Sequence, residues 1–198
     1  MIGNDVVDFQ QAQLDGSYNR PRFMDKTFNL HEKEYILANE YPHKMACIYW
    51  SVKEAAYKAY VRETRNRFLN PKRIHLQLKD GVKEPIDLLV SIDSFSYMVE
   101  IEVNECRVVS VAKSMNQFSK KLFSHTIQLP SNQYSIQNVY TKTAVLDFIS
   151  KHLNKPKHCL SIGKNELGIP FLFMDGSKKE HQISLTHHGE YAAYAVAF

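Results

Sequence analysis

The chain has 198 residues, 44% of them hydrophobic and only seven each glycine and proline, which excludes disordered and fibrous proteins and allows one domain or two small ones. Its 25 Lys and Arg oppose 21 Asp and Glu for a net charge of +4, enough to favour anionic ligands but without the dense basic stripe of a dedicated nucleic-acid binder. No apolar run approaches the roughly 20 residues that span a bilayer, and scattered Cys47, Cys106 and Cys159, with no signal peptide ahead of them, imply reduced thiols in a cytoplasmic protein and no cysteine-built metal cage.

The chain opens with Ile2-Gly-Asn-Asp-Val-Val-Asp8, an apolar segment of β character that carries carboxylates beside a glycine. A carboxylate there lies close to a future core. From about His43 to Arg67, the spacing of Met45, Tyr49, Val52, Ala56, Ala59 and Tyr60 predicts a long amphipathic helix, ended by Asn70-Pro71 because the residue before a proline avoids the helical region. Glu54 and Lys58 share one face of it, roughly opposite the apolar stripe. Taken alone, such a pair is an ordinary solvated ion pair contributing about 0.2–0.5 kcal/mol.

The period then changes. Ile74–Leu78, Leu88–Ile92, Tyr97–Val103 and Cys106–Ala112 are short, β-branched and separated by turn residues (Lys79-Asp-Gly81, Asn104-Glu105), which predicts an antiparallel sheet. The polar stretch from about Lys113 to Gln137 reads as a connection. A second helix is expected over Val139–Leu153, followed by strands at His158–Ile162, Pro170–Met174, His181–Leu185 and Tyr191–Phe198. Ser184-Leu-Thr-His-His188 ends a strand-like segment just before Gly189, so a histidine sits at a turn.

The halves share this order. Leu69-Asn-Pro-Lys returns as Leu153-Asn-Lys-Pro-Lys, and Glu105–Ala112 as Glu190–Ala197, at offsets of 84 and 85 residues. Chance accounts for a few such pairs, but the order of elements favours a degenerate repeat. The expected division is residues 1–115 as a first half, 116–137 as the connection and 138–198 as a second half, together one compact α+β unit. Chemically, an Asp from the first segment converging with helix-borne Glu54 suits Mg²⁺, which takes one or two carboxylates and fills its other positions with water and substrate phosphates. Lys58, one turn on, could hold the same phosphates. A metal-dependent nuclease also combines acids with a lysine, but usually with the lysine two residues after an acid on a strand.

Three segments in this order resemble the 4′-phosphopantetheinyl transferase superfamily. Ile2-Gly-Asn-Asp-Val-Val-Asp8 is similar to its G-x-D segment, Trp50-Ser-Val-Lys-Glu-Ala-Ala-Tyr-Lys58 to its W-[ST]-x-K-E-A-x-x-K helix, and Ser184-Leu-Thr-His187 to its S-L-S-H segment. The resemblance implies the family's fold, two similar α+β halves related by a pseudo-twofold axis, each a long helix on a small antiparallel sheet. It also implies transfer of the phosphopantetheine arm of coenzyme A to a serine of an acyl or peptidyl carrier protein, with Mg²⁺ at the pyrophosphate and release of adenosine 3′,5′-bisphosphate. Asp5 and Glu54 would be metal ligands, and Glu54 or a water on the metal would deprotonate the serine. Lys58 would neutralise the pyrophosphate, while Thr186 and His187 would contact coenzyme A, leaving His188 replaceable.

Two positions depart from the pattern. Val7 stands where the longer class has a second acid, and Gly168-Ile-Pro170 replaces the usual G-K-P, with Lys164 the candidate substitute. The half bearing Asp5 and the K-E-A-x-x-K helix comes first here, whereas the longer class has the S-x-S-H half first. The offset favours an active monomer, a pseudo-dimer with its site between halves. The alternative is a non-catalytic module of the same fold that docks carrier proteins or coenzyme A.

Overall fold

The first strand, β1 (Ile2–Asp8), has all seven residues buried, because both halves of the molecule pack on it. A computed structural model describes residues 1–16, 18, 20, 22–77, 87–116 and 120–198. Short helices α1 (Phe9–Leu14), α2 (Phe23–Thr27) and α3 (Leu30–Ala38) lead into the long α4 (Pro42–Thr64), after which come β2 (Ile74–Gln77), β3 (Asp87–Ile92), β4 (Phe95–Val103) and β5 (Arg107–Ser114). The chain then runs through β6 (Leu122–Gln128), α5 (Tyr134–Leu153), β7 (Leu160–Lys164), β8 (Pro170–Met174), β9 (Ser177–His188) and β10 (Tyr191–Ala197). The fold is α+β, with two antiparallel five-stranded sheets ordered β1-β5-β4-β3-β2 and β6-β10-β9-β8-β7. In both, the first strand of the sheet pairs with the last, and the long helix precedes the remaining strands. Among the described residues no helix is long and apolar enough to cross a membrane.

Several expectations change in detail. The stretch 116–137 carries β6, an edge strand of the second sheet, and the start of α5, so the second half begins well before residue 138. Its polar residues concealed β6 because they lie on an edge strand that is only half-buried. The long helix stops at Thr64 rather than near Arg67: Arg65 adopts φ 62° and returns its N–H to Val61 O, a left-handed cap that ends the helix before Pro71 matters. Leu78 and the expected turn at Lys79–Gly81 lie outside the described residues.

Helix α4 is buried nearly all round. Val52, Ala55, Ala56, Ala59 and Tyr60 pack into the first core with Val90, Val99, Val108 and Ala112 of the sheet. Against β1 the approach is closer still, since a Cβ on Gly3 would lie 2.1 Å from Ala55 O and 2.7 Å from Ala59 N. Only glycine lets the strand and helix backbones meet there. The opposite face of β1, through Ile2 and Val6, joins Val109, Val111, Ala193, Ala195 and Ala197 in a second core between the sheets.

Lys53 fixes α4 on its other side. Its Nζ is fully buried, 2.8 Å from Glu32 Oε2, and donates to the carbonyls of Thr27, Pro71 and Ile74. Burial pushes the ammonium pKa down, opposed by the Glu32 charge. Glu32 in turn accepts the Asn29 N–H in the capping box of α3. Either Lys53→Met or Glu32→Gln is therefore expected to cost about 3–5 kcal/mol in urea melts by stranding a buried partner, with part of the loss recovered in the Lys53→Met/Glu32→Leu double variant.

Candidate active site

The two sheets meet where the free edge of β1 faces β9. There β9 accepts with side chains rather than backbone: Ile2 N–H donates to Gln182 Oε1 at 3.0 Å, Asn4 N–H to Ser184 Oγ at 3.0 Å and Asp8 N–H to His188 Nδ1 at 3.1 Å. These bonds fix the register of one half against the other. Thr186 departs from the series, turning its hydroxyl to Asp5 Oδ1 at 3.1 Å.

That contact marks the site. Asp5 Oδ1 also lies 2.8 Å from Lys58 Nζ, which donates in addition to Asn4 O at 2.9 Å. Asp5 faces α4 because it shares a face of β1 with Gly3, and two turns of helix beyond Trp50 bring Lys58 over it. The carboxylate of Glu54, one turn earlier, makes no hydrogen bond among the described residues, and its pKa is pushed up to about 7, first by burial and then by the Asp5 charge, with Lys58 opposing. The pair Glu54 and Lys58 thus faces the seam between halves, with Lys58 remaining partly exposed.

His187 projects beside this group. Its ring packs edge-on to Tyr134 at 5.3 Å, and burial followed by the Lys58 charge holds its pKa below the ordinary value, keeping the imidazole neutral. Asp5, Glu54, Lys58, Thr186 and His187 are therefore brought together from β1, α4 and β9. Lys164 is not in the cavity next to Lys58; it ends β7, exposed, and reaches His187 only as a weaker charge.

That cavity, of about 440 Å³, runs between the last turns of α4 and β8–β9, with Tyr57, Phe68, Leu167 and Ile169 among its apolar walls. Its cations beside Lys58 are Arg62 and Arg67, residues that the motif reading passed over. Arg67 Nη2 donates to Leu167 O and would lie 3.7 Å from a Cβ on Gly168, so it occupies the neighbourhood of the Gly168-Ile-Pro170 segment. A basic residue a few positions past the helix cap was the available signal. Val7, in place of a further acid, packs into the first core.

His188 has contacts of its own at the end of β1. Besides accepting from Asp8, its Nε2 lies 3.4 Å from Asp15 Oδ2. Asp8 Oδ1 caps α1 at Gln10 and Gln11 while its Oδ2 accepts from Glu190 N–H, and the close passage of Gly189, at φ 57°, leaves no room for a Cβ beside that carboxylate. The β9–β10 turn is in this way tied to the end of β1.

Among the described residues no three His, Cys, Asp or Glu side chains gather as a metal cage. Two converging carboxylates, one of them raised in pKa by burial and then by the other, are nonetheless a donor set suited to a hard divalent cation that draws its remaining ligands from water and phosphate.

A sequence model described as the 4′-phosphopantetheinyl transferase superfamily matches residues 1–124, and the chain belongs to that superfamily. Its activity is therefore phosphopantetheinyl transfer in the general sense. The match includes Asp5, Glu54 and Lys58 and ends before Thr186 and His187. No curated protein sequence matches the chain.

In the metal-free protein, the raised Glu54 pKa contributes stability that is full below the unfolded value near 4.5 and is lost as pH rises through about 7. Glu54→Gln, which mimics the protonated form, should gain on wild type by roughly 1–3 kcal/mol between pH 5 and 8 in EDTA. Millimolar Mg²⁺ should reverse this order at pH 8 by stabilising only wild type, as thermal melts would read directly.

Proposed function

We propose that this protein transfers 4′-phosphopantetheine from coenzyme A to a serine of an acyl or peptidyl carrier protein, with Mg²⁺, releasing adenosine 3′,5′-bisphosphate. The observation that carries the reading is the contact of Lys58 and Thr186 on one oxygen of Asp5, which joins the two halves of a single chain at a carboxylate site. Asp5 and Glu54 would hold the metal, which when bound would polarise the pyrophosphate toward attack. The serine hydroxyl oxygen forms a bond to the phosphorus bearing the pantetheine arm, and the bond from that phosphorus to the bisphosphate leaving group breaks.

The residues divide this work by position. Glu54 accepts the serine proton directly or through water. Lys58 lies at the mouth of the 440 Å³ cavity and offers its charge to the phosphates as negative charge shifts to the leaving group. His187 donates a hydrogen bond to a coenzyme A phosphate, and Thr186 holds Asp5 in place. Arg67, rather than Lys164, supplies the cation near Gly168-Ile-Pro170. Because one chain supplies this set, the working form is a monomer. A module that docks its ligands without turnover would have no need of a proton acceptor and an ammonium on one helix face, which favours the enzyme.

Intact-mass analysis of apo carrier proteins incubated with the protein, coenzyme A and Mg²⁺ tests the assignment: wild type should add one phosphopantetheine, and Asp5→Ala and Glu54→Gln should add none while remaining folded. Lys58→Ala should be slower by about 10²-fold or more. Transfer by wild type in excess EDTA would remove the metal from the reading.

Light scattering under assay conditions should give a monomer mass with activity proportional to protein concentration. A trimer whose specific activity falls on dilution would place the site between chains instead.

A further inference from the structure

A second cavity, of about 380 Å³, lies across the wall formed by Arg62, Ile169 and Pro170, on the side away from Lys58. Its lining includes Arg62, Arg65, Lys120, Lys178 and Lys179 together with His181, and one exposed carboxylate, Glu180. Among the described residues none of these five cations pairs with a carboxylate. Lys120 donates to the backbone oxygen of Glu180 at 2.8 Å, and Lys178 sits over the Phe171 ring at 4.3 Å. Glu63, next in sequence to Arg62, spends its oxygens on Tyr97 and Ser114.

Arg62 makes this arrangement more than a patch of surface lysines. It is only 9% exposed, and a guanidinium carries five N–H donors. Three of its nitrogens donate to carbonyls, Nε to Ile2, Nη1 to Pro170 and Nη2 to Ile183, which leaves two N–H groups and a full charge with no counter-ion. A buried cation held by neutral acceptors alone is costly, and an anion placed between it and neighbouring cations offsets that cost. We propose that this cavity is a binding site for a phosphate dianion, clamped by Arg62, Arg65 and Lys179.

The neighbouring cations act on one another across the cavity. Burial, and then the nearby Arg65 charge, pulls the Arg62 pKa down to about 10; burial, and then Lys120 and Lys179, lowers that of His181. A dianion would oppose both shifts; Arg62 is charged at neutral pH in any case, whereas His181 would gain charge. The chemistry is that of inorganic phosphate or of a phosphate monoester, and the shared wall with the first cavity makes the 3′-phosphate of coenzyme A one possible source. That source rests on the function proposed above, whereas the site itself does not.

Inorganic phosphate titrated into the full chain at constant ionic strength, with chloride as control, provides the test by NMR of the His181 ring protons. The expected result is a saturable shift with a raised His181 titration midpoint, and an affinity weaker by about tenfold or more in Arg65→Asn/Lys179→Gln. Both substitutions are at positions outside the core and neutralise charge without opening a cavity. A response no different from that to chloride, or a double variant that binds like wild type, would overturn the site. Repeating the titration with saturating coenzyme A separates the sources: loss of the phosphate response, with dephospho-coenzyme A leaving it intact, assigns the 3′-phosphate, and persistence assigns a free anion. Phosphate binding without any carrier modification would remove the transferase reading and keep this site; carrier modification without phosphate binding would do the opposite.

Discussion

The molecule depends on one strand being shared. β1 bonds to β5 through its backbone on one edge, and on the other it gives its N–H groups to the side chains of Gln182, Ser184 and His188. A backbone ladder would have merged the two sheets, whereas side-chain acceptors hold them together at a fixed register and leave the sheets distinct. The same strand passes under α4 at the glycine contact. One segment therefore locates the helix, the second sheet and the carboxylate of Asp5 at once, and an error in any of these packings would displace the others.

Charge is distributed around α4 with unequal consequences. Lys53 is fully buried and spends its charge on Glu32 and three carbonyls, anchoring the helix to α2, α3 and the start of β2. Lys58, a little over one turn later, is partly exposed and shares its charge between Asp5, the Asn4 carbonyl and an open cavity. The first arrangement satisfies the ammonium within the protein, although Glu32 Oε1 is buried without a hydrogen-bond partner among the described residues; the second leaves Lys58 facing a cavity. Glu54 between them is raised in pKa because burial and Asp5 disfavour its charge, and this is the condition that a cation or a transferred proton relieves.

The two sheets have the same strand order but have diverged in their uses. The first half provides the acids and the lysine, while the second provides Thr186 and His187 and the wall built on Ile169 and Pro170. Asp5 and Lys58 of the first half meet Thr186 of the second within one chain. Arg62 runs through this boundary, bonding β1, the start of β8 and β9 from a single helix position.

Much of this was legible in the chain itself. Periodicity located α4 and most strands, because burial of one face imposes a period of 3.6 or 2 on apolar residues, and the K-E-A-x-x-K spacing placed Glu54 and Lys58 on one helix face. Local sequence could not place β6, whose half-buried edge position tolerates polar residues, nor end α4 at a left-handed arginine that no composition rule demands. It could also not bring Thr186 to Asp5, give His188 its bond to Asp8, or bring Arg67 to Leu167. Those outcomes are decided by contacts between residues 100 or more positions apart, and only the packing of β1 against both α4 and β9 determines which polar groups end up facing one another.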